Sequence, residues 1–209
     1  MPSPARGLTQ PQRVEMSSRR LVEAAAELVA EKGWEATTAA EIGRRAGYSR
    51  AMVHARYGTK DAILDAFFEH GYVQRIIPAP EPGATGLENA VAHFGRVQEL
   101  YKQDRDFLHA IFVMTFEAAK TTSPLRQRIQ HWLQLGVDKV EAGLRQGVAD
   151  GSVRADIDVE RATSDLSAAI FGPAYLWTAL AGGYDLEREL SYVRERFIRD
   201  YGAGLDTRL

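Results

Sequence analysis

The stretch TTAAEIGRRAGYSRAMVHARYGTKDAI, residues 37–63, contains two short runs of helix-forming residues, each preceded by a hydroxyl side chain. Thr38 stands three residues before Glu41, a spacing at which the two side chains cap each other's backbone at the start of a helix. Gly47 ends this first run, and Ser49 offers an N-cap for a second short helix. Two short helices joined at one glycine are typical of a helix-turn-helix whose second helix enters a DNA groove.

One helix precedes this stretch and a longer helix follows it. Apolar residues recur at helical spacing over residues 16–32, and Gly33 ends the pattern. The following helix begins near Asp61 and has to end before Pro78, because proline disfavours helical geometry in the residue before it. Residues 1–15 contain three prolines among polar residues, so we expect a disordered arm there.

The sequence pattern of the remainder of the chain also predicts helices. No run of strand periodicity longer than four residues competes with helical patterns at about residues 87–102, 105–120, 124–150, 159–180 and 186–202. Gly172 and Pro173 fall inside one of these helices, where proline removes a backbone donor and predicts a kink or break. We therefore expect about nine helices and three parts: an arm (1–15), a helix-turn-helix domain (16–62) and a larger helical domain (63–209).

Composition narrows the function classes. The 209 residues are 45% hydrophobic and 26% charged, with a net charge of −2, as in ordinary folded domains. The chain has no cysteine, which excludes disulfides, thiolate nucleophiles and cysteine-based metal sites. It also has no apolar run of membrane-spanning or signal-peptide length, so the expected location is the cytoplasm. Residues 1–60 carry ten basic and six acidic side chains, which weakly favours a polyanion partner for this end.

The order of these signals resembles the N-terminal domain of the tetracycline-repressor (TetR) family, AcrR-like regulators included. The resemblance covers residues 16–72 and is carried by Gly33, Thr37-Thr38, Glu41-Ile42, Ala46-Gly47, Ser49, Tyr57 and Thr59-Lys60-Asp61. It implies an all-α fold with an N-terminal three-helix DNA-binding domain and a C-terminal helical ligand-binding and dimerisation domain. The second helix of the motif departs from the family, since Ala51-Met52-Val53-His54 stands where Gly-Thr-Leu-Tyr is common. The DNA sequence that relatives recognise therefore does not transfer to this chain.

The function that the resemblance implies is a ligand-responsive transcriptional regulator. Such a protein, most simply a repressor, binds an inverted-repeat operator in double-stranded DNA as a homodimer and is released by a small apolar or aromatic effector. No catalysis, cofactor or membrane is implied, and the fourth helix is the expected lever between effector and DNA. Two other classes stay open: an architectural DNA-binding protein without an effector, and a helical bundle that binds a small molecule.

The candidate DNA-binding residues lie on and around the second helix of the motif. Arg50 and Arg56 are able to bind guanine edges bidentately or to contact phosphate. Ser49 and Lys60 stand at helix N-termini, where an anion is favoured, although a capping role alone explains Ser49. The full set is Thr38, Tyr48, Ser49, Arg50, Ala51, Met52, His54, Arg56, Tyr57 and Lys60.

The last helix offers a candidate dimer interface. Leu186, Leu190, Val193, Phe197 and Tyr201 recur at helical spacing and form one apolar stripe. The pattern alone favours a stripe buried inside one chain. The resemblance implies instead that the last two long helices pair with those of a second copy, with Leu166 and Ile170 contributed by the penultimate helix.

Aromatic residues of the large domain are candidates for an effector pocket. Solid core packing is the alternative for each of them, while regulators of this type leave an apolar cavity between helices. The histidines of this domain lack metal-ligand spacing and acidic partners, so we expect neither a metal site nor a catalytic triad. The expected lining residues are Phe94, His109, Phe112, Met114, Phe116, Trp132 and Trp177.

Overall fold

The chain is helical in every part that the computed structural model describes, namely residues 9–77, 79–120, 125–180 and 182–204. These residues form no β-strand and only one isolated bridge, between Val153 and Gly202. The helices are α1 Gln10–Lys32, α2 Ala39–Arg45, α3 Arg50–Tyr57, α4 Lys60–Phe67, a π-helical segment Phe68–Ile76, α5 Gly86–Gln103, α6 Arg105–Glu117, α7 Arg126–Asp150, α8 Val159–Ala169, α9 Phe171–Ala179 and α10 Leu186–Tyr201. The all-α prediction is confirmed. We call α1–α3 the head and α5–α10 the body; α4 and the π segment join them.

Reciprocal caps set the start of several helices. Thr38 and Glu41 form the predicted capping box at α2, with the Thr38 N–H donating to the Glu41 carboxylate at 3.0 Å. Thr9 and Gln12 form a second box that begins α1 at Gln10. The prediction of a disordered arm is therefore wrong for residues 10–15, because this capping box and a proline in the first turn are favourable at a helix start. Residues 1–8 of the predicted arm lie outside the described residues.

Buried aliphatic residues hold the head together and fix it to α4. Leu21 of α1, Ile42 of α2 and Ile63 of α4 are completely buried, and Val53 of α3 is nearly so. The C-terminal half of α1 also packs along α6, so the head rests directly on a helix of the body. This contact gives the two parts a shared apolar interface.

Helices α5 and α7 approach each other closely at three glycines. A Cβ atom at Gly86 would collide with the backbone of Gly147, and one at Gly143 would lie 2.8 Å from the backbone nitrogen of Ala90. The backbones therefore pack with no side chain between them. This close crossing fixes the two longest walls of the body.

The predicted break near Pro173 is confirmed. Helix α8 ends at Ala169 and α9 begins at Phe171, after a single non-helical residue. Pro173 has no N–H to donate to the carbonyl group of Ala169, one turn earlier, so the helical ladder is interrupted there. If α8 with α9, and α4 with the π segment, are each counted as one interrupted helix, the described residues contain the nine helices expected.

The apolar stripe of α10 faces inward. Leu186 and Leu190 are completely buried within the single chain, and Val193 and Phe197 are at most 9% exposed. The helix packs with this stripe against α5 and α9. The assignment of the stripe to a dimer interface is therefore wrong, since a helical stripe does not reveal whether its partner belongs to the same chain. The alternative of an intramolecular core is the correct one.

The other residues expected at the dimer interface also lie inside the chain. Leu166 is completely buried and Ile170 is 7% exposed. Tyr201 is half-buried, and its hydroxyl donates to Asp165 Oδ2 at 2.6 Å. Neither Leu166 nor Ile170 is available to a second copy without rearrangement of the body.

Candidate DNA-binding surface and ligand cavity

Helix α3 is held by one edge and exposes the opposite face. Ser49 caps it by accepting a hydrogen bond from the Met52 N–H at 3.2 Å, and Val53 is buried. The Tyr57 hydroxyl donates to the Ser18 carbonyl group of α1 at 3.2 Å, and burial raises the pKa of this hydroxyl. The exposed face consists of Arg50, Ala51, His54 and Ala55. It is a short, rigid helix whose outward side chains have no role in packing.

The predicted DNA-binding residues divide into exposed and half-buried groups. Among those expected, Ser49, Arg50, Ala51 and His54 are exposed, as is the capping residue Thr38. Tyr48 and Met52 are half-buried, and Tyr48 packs against the head core. The exposed members of the set lie at the start of α2 and on and just before α3.

Arg56 is fixed against α1. Its Nε donates to Ser17 Oγ at 2.9 Å, while Ser17 itself is buried. Arg13 and Arg20 lie four residues before and three residues after Ser17, so they share its side of α1. Neither arginine is in the predicted DNA-binding set, and Arg13 falls in residues 1–15, where a disordered arm was expected.

Several arginines of the head are left without a carboxylate. Arg13, Arg20, Arg44 and Arg50 form no ion pair within the described residues, whereas Arg45 is paired with Glu27 and Glu31 and Arg19 with Glu23. An unpaired guanidinium retains all of its capacity to bind phosphate or a base edge. Arg44, at the end of α2, was missed because its neighbour Arg45 carries the same charge and sequence spacing does not show which of the two is neutralised.

Lys60 has a structural role that was not predicted. Its ammonium group donates to the carbonyl groups of Trp34 and Thr37 at 2.7 and 2.6 Å, and lies 4.4 Å from the centre of the Trp34 ring. Burial is the main cause that lowers the pKa of Lys60. Since an ammonium group has three donors, two of them are already committed to the turn after α1. Phosphate binding by Lys60 remains a prediction, with at most one donor available in this conformation.

The body contains an apolar cavity between five elements. The space that the centre of a water molecule can reach inside it is about 90 Å³. Its walls come from the π segment, α5, α6, α7 and the α8–α9 junction. The lining residues are Tyr72, Ile76, Ile77, Asn89, Ala90, His93, Val97, Ile111, Phe112, Thr115, Leu133, Gly136, Val137, Lys139, Val140, Ser167, Ile170 and Phe171.

His93 supplies the cavity with a neutral acceptor. Its Nδ1 lies 3.1 Å from the Ala90 carbonyl oxygen, and because a carbonyl only accepts, Nδ1 carries the hydrogen. Burial lowers the pKa of His93 to about 4, so the ring is uncharged near neutral pH. The ring lies deep in the body, yet part of its surface is open to the cavity. Its Nε2 lone pair has no hydrogen-bond partner among the described residues.

Ser167 contributes a second polar group. Its hydroxyl is buried and has no hydrogen-bond partner within the described residues, and the same is true of Thr163 one turn earlier. Only Ser167 borders the cavity. A buried polar group left without any partner costs about 1–3 kcal/mol, so the Ser167 hydroxyl favours a cavity occupant that bonds to it.

Most of the predicted pocket residues lie elsewhere. Phe112 lines the cavity, but the other six do not. Phe94 and Met114 are completely or almost completely buried in the core, and Trp132 stacks on Phe68 with ring centres 6.1 Å apart. His109, Phe116 and Trp177 belong to an aromatic cluster beside the cavity, in which Trp177 meets His109 edge-on at 5.4 Å and Phe116 meets Tyr175. A role for these six residues in ligand binding stays a prediction, since they lie in the core or beside the cavity rather than on its wall.

Apolar residues form most of the cavity wall, with a few small and polar residues among them. Gly136 of α7 leaves room for the Tyr72 hydroxyl, because a Cβ atom there would lie 2.8 Å from it. Tyr72 is largely buried, which raises the pKa of its hydroxyl to about 12. A glycine within the long helix α7 and a histidine on the apolar side of α5 are the sequence signals that were available for this site.

A direct hydrogen bond joins the cavity wall to the head. Glu117 is the last residue of α6, whose Ile111, Phe112 and Thr115 line the cavity. Its Oε2 accepts a hydrogen bond from the backbone N–H of Trp34 at 2.8 Å. The carboxylate fits against Gly33, where a Cβ atom would collide with it and where φ is +82°. Lys60 holds the carbonyl group of the same Trp34, so α6, α1 and α4 meet at this residue.

An apolar patch is exposed on α9 and α10. Tyr175 is 57% and Tyr192 58% exposed, and Leu176 and Leu180 are exposed as well. We call these four side chains the outer patch. Helices α9 and α10 are in contact with each other, and these four side chains occupy exposed positions of the pair, whereas the stripe of α10 is buried.

Neither a metal-binding cluster nor a membrane-spanning helix is present in the described ranges. They contain no group of three or more His, Asp or Glu residues able to hold a metal ion. In the same part of the chain, every helix is too short or too polar to cross a membrane.

Comparison with known proteins agrees with this architecture. Residues 21–67 match the profile of the family described as bacterial regulatory proteins, tetR family. The chain is 22% identical over 171 residues to the fatty acid metabolism regulator protein of Bacillus subtilis, covering 80% of this chain and 86% of the relative. It is 25% identical over 184 residues to the uncharacterized HTH-type transcriptional regulator YdeS of the same species, covering 88% and 87%.

Solved structures show the same fold. The complex of SmeT with triclosan superimposes with a TM-score of 0.75 at 21% identity, covering 90% of this chain and 93% of that chain; SmeT is the repressor of a multidrug efflux pump of Stenotrophomonas maltophilia. FadR from Bacillus subtilis in complex with stearoyl-CoA gives a TM-score of 0.70 at 22% identity, covering 86% and 97%. The head and the body thus follow a known arrangement.

Proposed function

We propose, from the premise that the chain is a TetR-family transcriptional regulator, that it represses transcription by binding an operator as a homodimer and is released by a small ligand in the body cavity. The observation that carries the proposal is a continuous connection between the head and the cavity of the body. An exposed reading helix, a head with unpaired arginines and an apolar cavity are joined through Glu117 and Trp34. Because a regulator acts on the chromosome, the proposed location is the cytoplasm.

The DNA contact is proposed to use α3 in the major groove. Arg50 at its first turn would read a base edge or bind phosphate, and His54 and Ala51 would face the bases. Arg13, Arg20 and Arg44 would contact the phosphates that flank the groove, since none of them is neutralised by a carboxylate within the described residues. The small side chains Ala51 and Ala55 allow the helix to approach the bases closely.

Dimerisation is proposed to use the outer patch. Large exposed apolar side chains mark interaction surfaces, and a two-fold axis next to α9 and α10 would bury Tyr175, Leu176 and Tyr192 of both copies. One reading helix contacts too few bases to find a site in a genome, so two are required. The buried stripe of α10 supports this arrangement from within by holding the helix in place.

Release is proposed to pass through α6. A ligand that fills the cavity would press on Ile111, Phe112 and Thr115 and displace the end of α6, where Glu117 holds the head. The ligand lowers DNA affinity only as far as it prefers the conformation with wrongly spaced heads. The fourth helix, the lever expected from the sequence, contributes through Lys60 and through the π segment that lines the cavity.

Other classes have less support. An architectural DNA-binding protein requires no cavity, and the unpartnered Ser167 hydroxyl would be a cost without a function there.

Repression, rather than activation, is proposed because a ligand that disturbs head spacing removes the protein from DNA.

The proposal is tested by titrating the full chain against DNA from the region upstream of its own gene. We expect sequence-preferring binding, an inverted repeat in the protected region and two protomers or a multiple of two per site. Leu176→Asp together with Tyr192→Asp should give monomers that bind the same DNA far more weakly, whereas Arg145→Ala on the surface of α7 should change neither property. Equal affinity for all duplexes, or a monomer bound with full affinity, would contradict it.

A further inference from the structure

We propose that the cavity selects an uncharged, compact ligand with a hydroxyl group, a small phenol or alcohol, whose O–H donates to His93 and whose oxygen accepts from Ser167. The inference rests on the proposed function, since it names the chemistry of the effector in the same cavity. It follows from three properties of the lining: the charge, the orientation of donors and acceptors, and the size.

The interior of the cavity has no charged group. Among the lining residues only Lys139 carries a charge, and its side chain is exposed at the rim. A carboxylate or phosphate inside the cavity would lose its hydration without gaining a cation, and an amine would find no anion. The part of a ligand that enters therefore has to be neutral.

The polar groups inside the cavity require a donor. His93 Nδ1 is committed to the Ala90 carbonyl group, which leaves Nε2 as an acceptor without a partner. The Thr115 hydroxyl donates to the Ile111 carbonyl oxygen at 2.8 Å and so is engaged. The Asn89 side chain is also engaged, by Gln146 and by the Glu81 backbone. Ser167 is able to donate or accept, and its hydroxyl has no partner among the described residues.

A hydroxyl group meets both requirements at once. Its hydrogen satisfies His93 Nε2, and its oxygen accepts the Ser167 hydrogen. An ether or ketone only accepts, so it would leave the His93 lone pair unpaired. Tyr72 also borders the cavity, with its hydroxyl lying against Gly136 of α7.

The size of the cavity favours a compact molecule. Each water molecule needs roughly 10–15 Å³ of space for its centre, so a cavity with about 90 Å³ of such space holds roughly six to nine waters. A ligand of about ten non-hydrogen atoms fills this volume. A long acyl chain would require the walls to separate.

The test compares three probes of one shape on the full-length protein by isothermal titration calorimetry: 4-propylphenol, its methyl ether 4-propylanisole, and 4-propylbenzoate. We expect 4-propylphenol to bind at least tenfold more tightly than either of the others at pH 7. Equal or tighter binding of 4-propylbenzoate or 4-propylanisole overturns the proposal, and so does the absence of binding by all three.

A matched pair of variants tests the role of Ser167. Ser167→Ala should weaken 4-propylphenol at least fivefold and leave 4-propylanisole within twofold, while its melting temperature stays equal to or above that of the unaltered protein. Thr163→Ala removes the other unpartnered hydroxyl on the same side of α8, away from the cavity, and should leave both affinities unchanged. Unchanged phenol binding in Ser167→Ala, or equal losses in both variants, overturns the assignment.

A parallel DNA titration separates this inference from the proposed function. Sequence-preferring DNA binding without phenol binding sinks the ligand assignment alone. Phenol binding without DNA binding supports the ligand chemistry and contradicts the regulator.

Discussion

In the head, polar side chains find their partners within a few residues or on the neighbouring helix, whereas the polar groups around the cavity come from helices far apart in the chain. Thr38 pairs with Glu41 three residues later, and the exposed face of α3 plays no part in packing. His93 and Ser167 meet the same cavity from α5 and α8 and leave their hydrogen-bonding capacity partly unused. The head separates the exposed face of α3 from its core, while the body lines its cavity with core residues.

This difference predicts which changes affect folding and which affect only binding. A substitution on the outer face of α3 should alter DNA affinity and leave stability intact. A substitution in the cavity wall should alter both, because the same side chain lines the cavity and packs the core. The predictions that follow are ordered by the size of the expected effect.

The largest effect is expected for Phe112→Ala. Phe112 is 4% exposed and packs against Trp177 and Phe116, so its truncation should cost about 3–5 kcal/mol of unfolding free energy. It should also enlarge the cavity and change ligand affinity. Urea denaturation of the variant measures the loss. If Phe112→Ala lost less unfolding free energy than the α3 variant described next, the distinction between the two regions would be contradicted.

Arg50→Ala should separate binding from stability. Loss of one bidentate base contact costs about 1–3 kcal/mol, so operator affinity should fall roughly 5- to 150-fold and site preference should relax. The melting temperature should not change, because Arg50 is exposed and forms no ion pair within the described part of the chain. Fluorescence anisotropy with operator and random duplexes measures the effect, with Arg145→Ala as the control. An equal loss on both duplexes would assign Arg50 to phosphate contact.

Glu117→Gln should weaken communication between the two regions. It replaces the carboxylate that holds the Trp34 N–H with a weaker neutral acceptor. Saturating ligand should lower operator affinity less in the variant than in the unaltered protein. The ratio of the affinities without and with ligand should fall roughly 2- to 30-fold, which corresponds to about 0.5–2 kcal/mol of coupling free energy. Lys120→Ala is the control, since Lys120 also reaches the head, at Glu35, but through an exposed pair 3.8 Å apart. An unchanged ratio in Glu117→Gln would show that this hydrogen bond does not transmit the effect of the ligand from the body to the head.

The smallest effect is expected for the way the stability of the head depends on acidic pH. The Lys32 ammonium, 2.6 Å from Glu41, is the main cause that lowers the pKa of this carboxyl from 4.5 to about 2, and Thr38 adds to it. A lowered carboxyl pKa stabilises the folded state above about pH 4.5, and this contribution is lost as the pH falls towards 2. Glu41→Gln should therefore flatten the pH dependence of stability slightly in this window, as measured by urea midpoints. A steeper dependence in the variant would contradict the assignment.

The sequence predicted much more of the structure of the head than of the body. Caps such as Thr38 with Glu41, and Ser49 at α3, are hydrogen bonds between near neighbours, so their spacing alone predicts helix ends. The same logic applies to the break at Pro173. The start of α1 was missed because the Thr9 and Gln12 cap stands among prolines that also favour disorder.

The cavity depended on information that the sequence does not contain. Phe94 and His93 are adjacent, and the rotation of α5 about its own axis decides that the histidine borders the cavity while Phe94 is buried in the core. Likewise, the stripe of α10 satisfies the periodicity of either a core or an interface. Such choices are set by long-range packing, for example by the close glycine crossing of α5 and α7.

The outward side chains of α3 have a consequence for how such a protein changes over generations. Ala51, His54 and Ala55 make no demands on folding, so mutation can replace them almost without penalty to the rest of the molecule. If the proposed function holds, a duplicated gene would acquire a new set of target promoters through two or three point mutations there. The proposed ligand response would be inherited intact, because the chamber lies in another part of the chain.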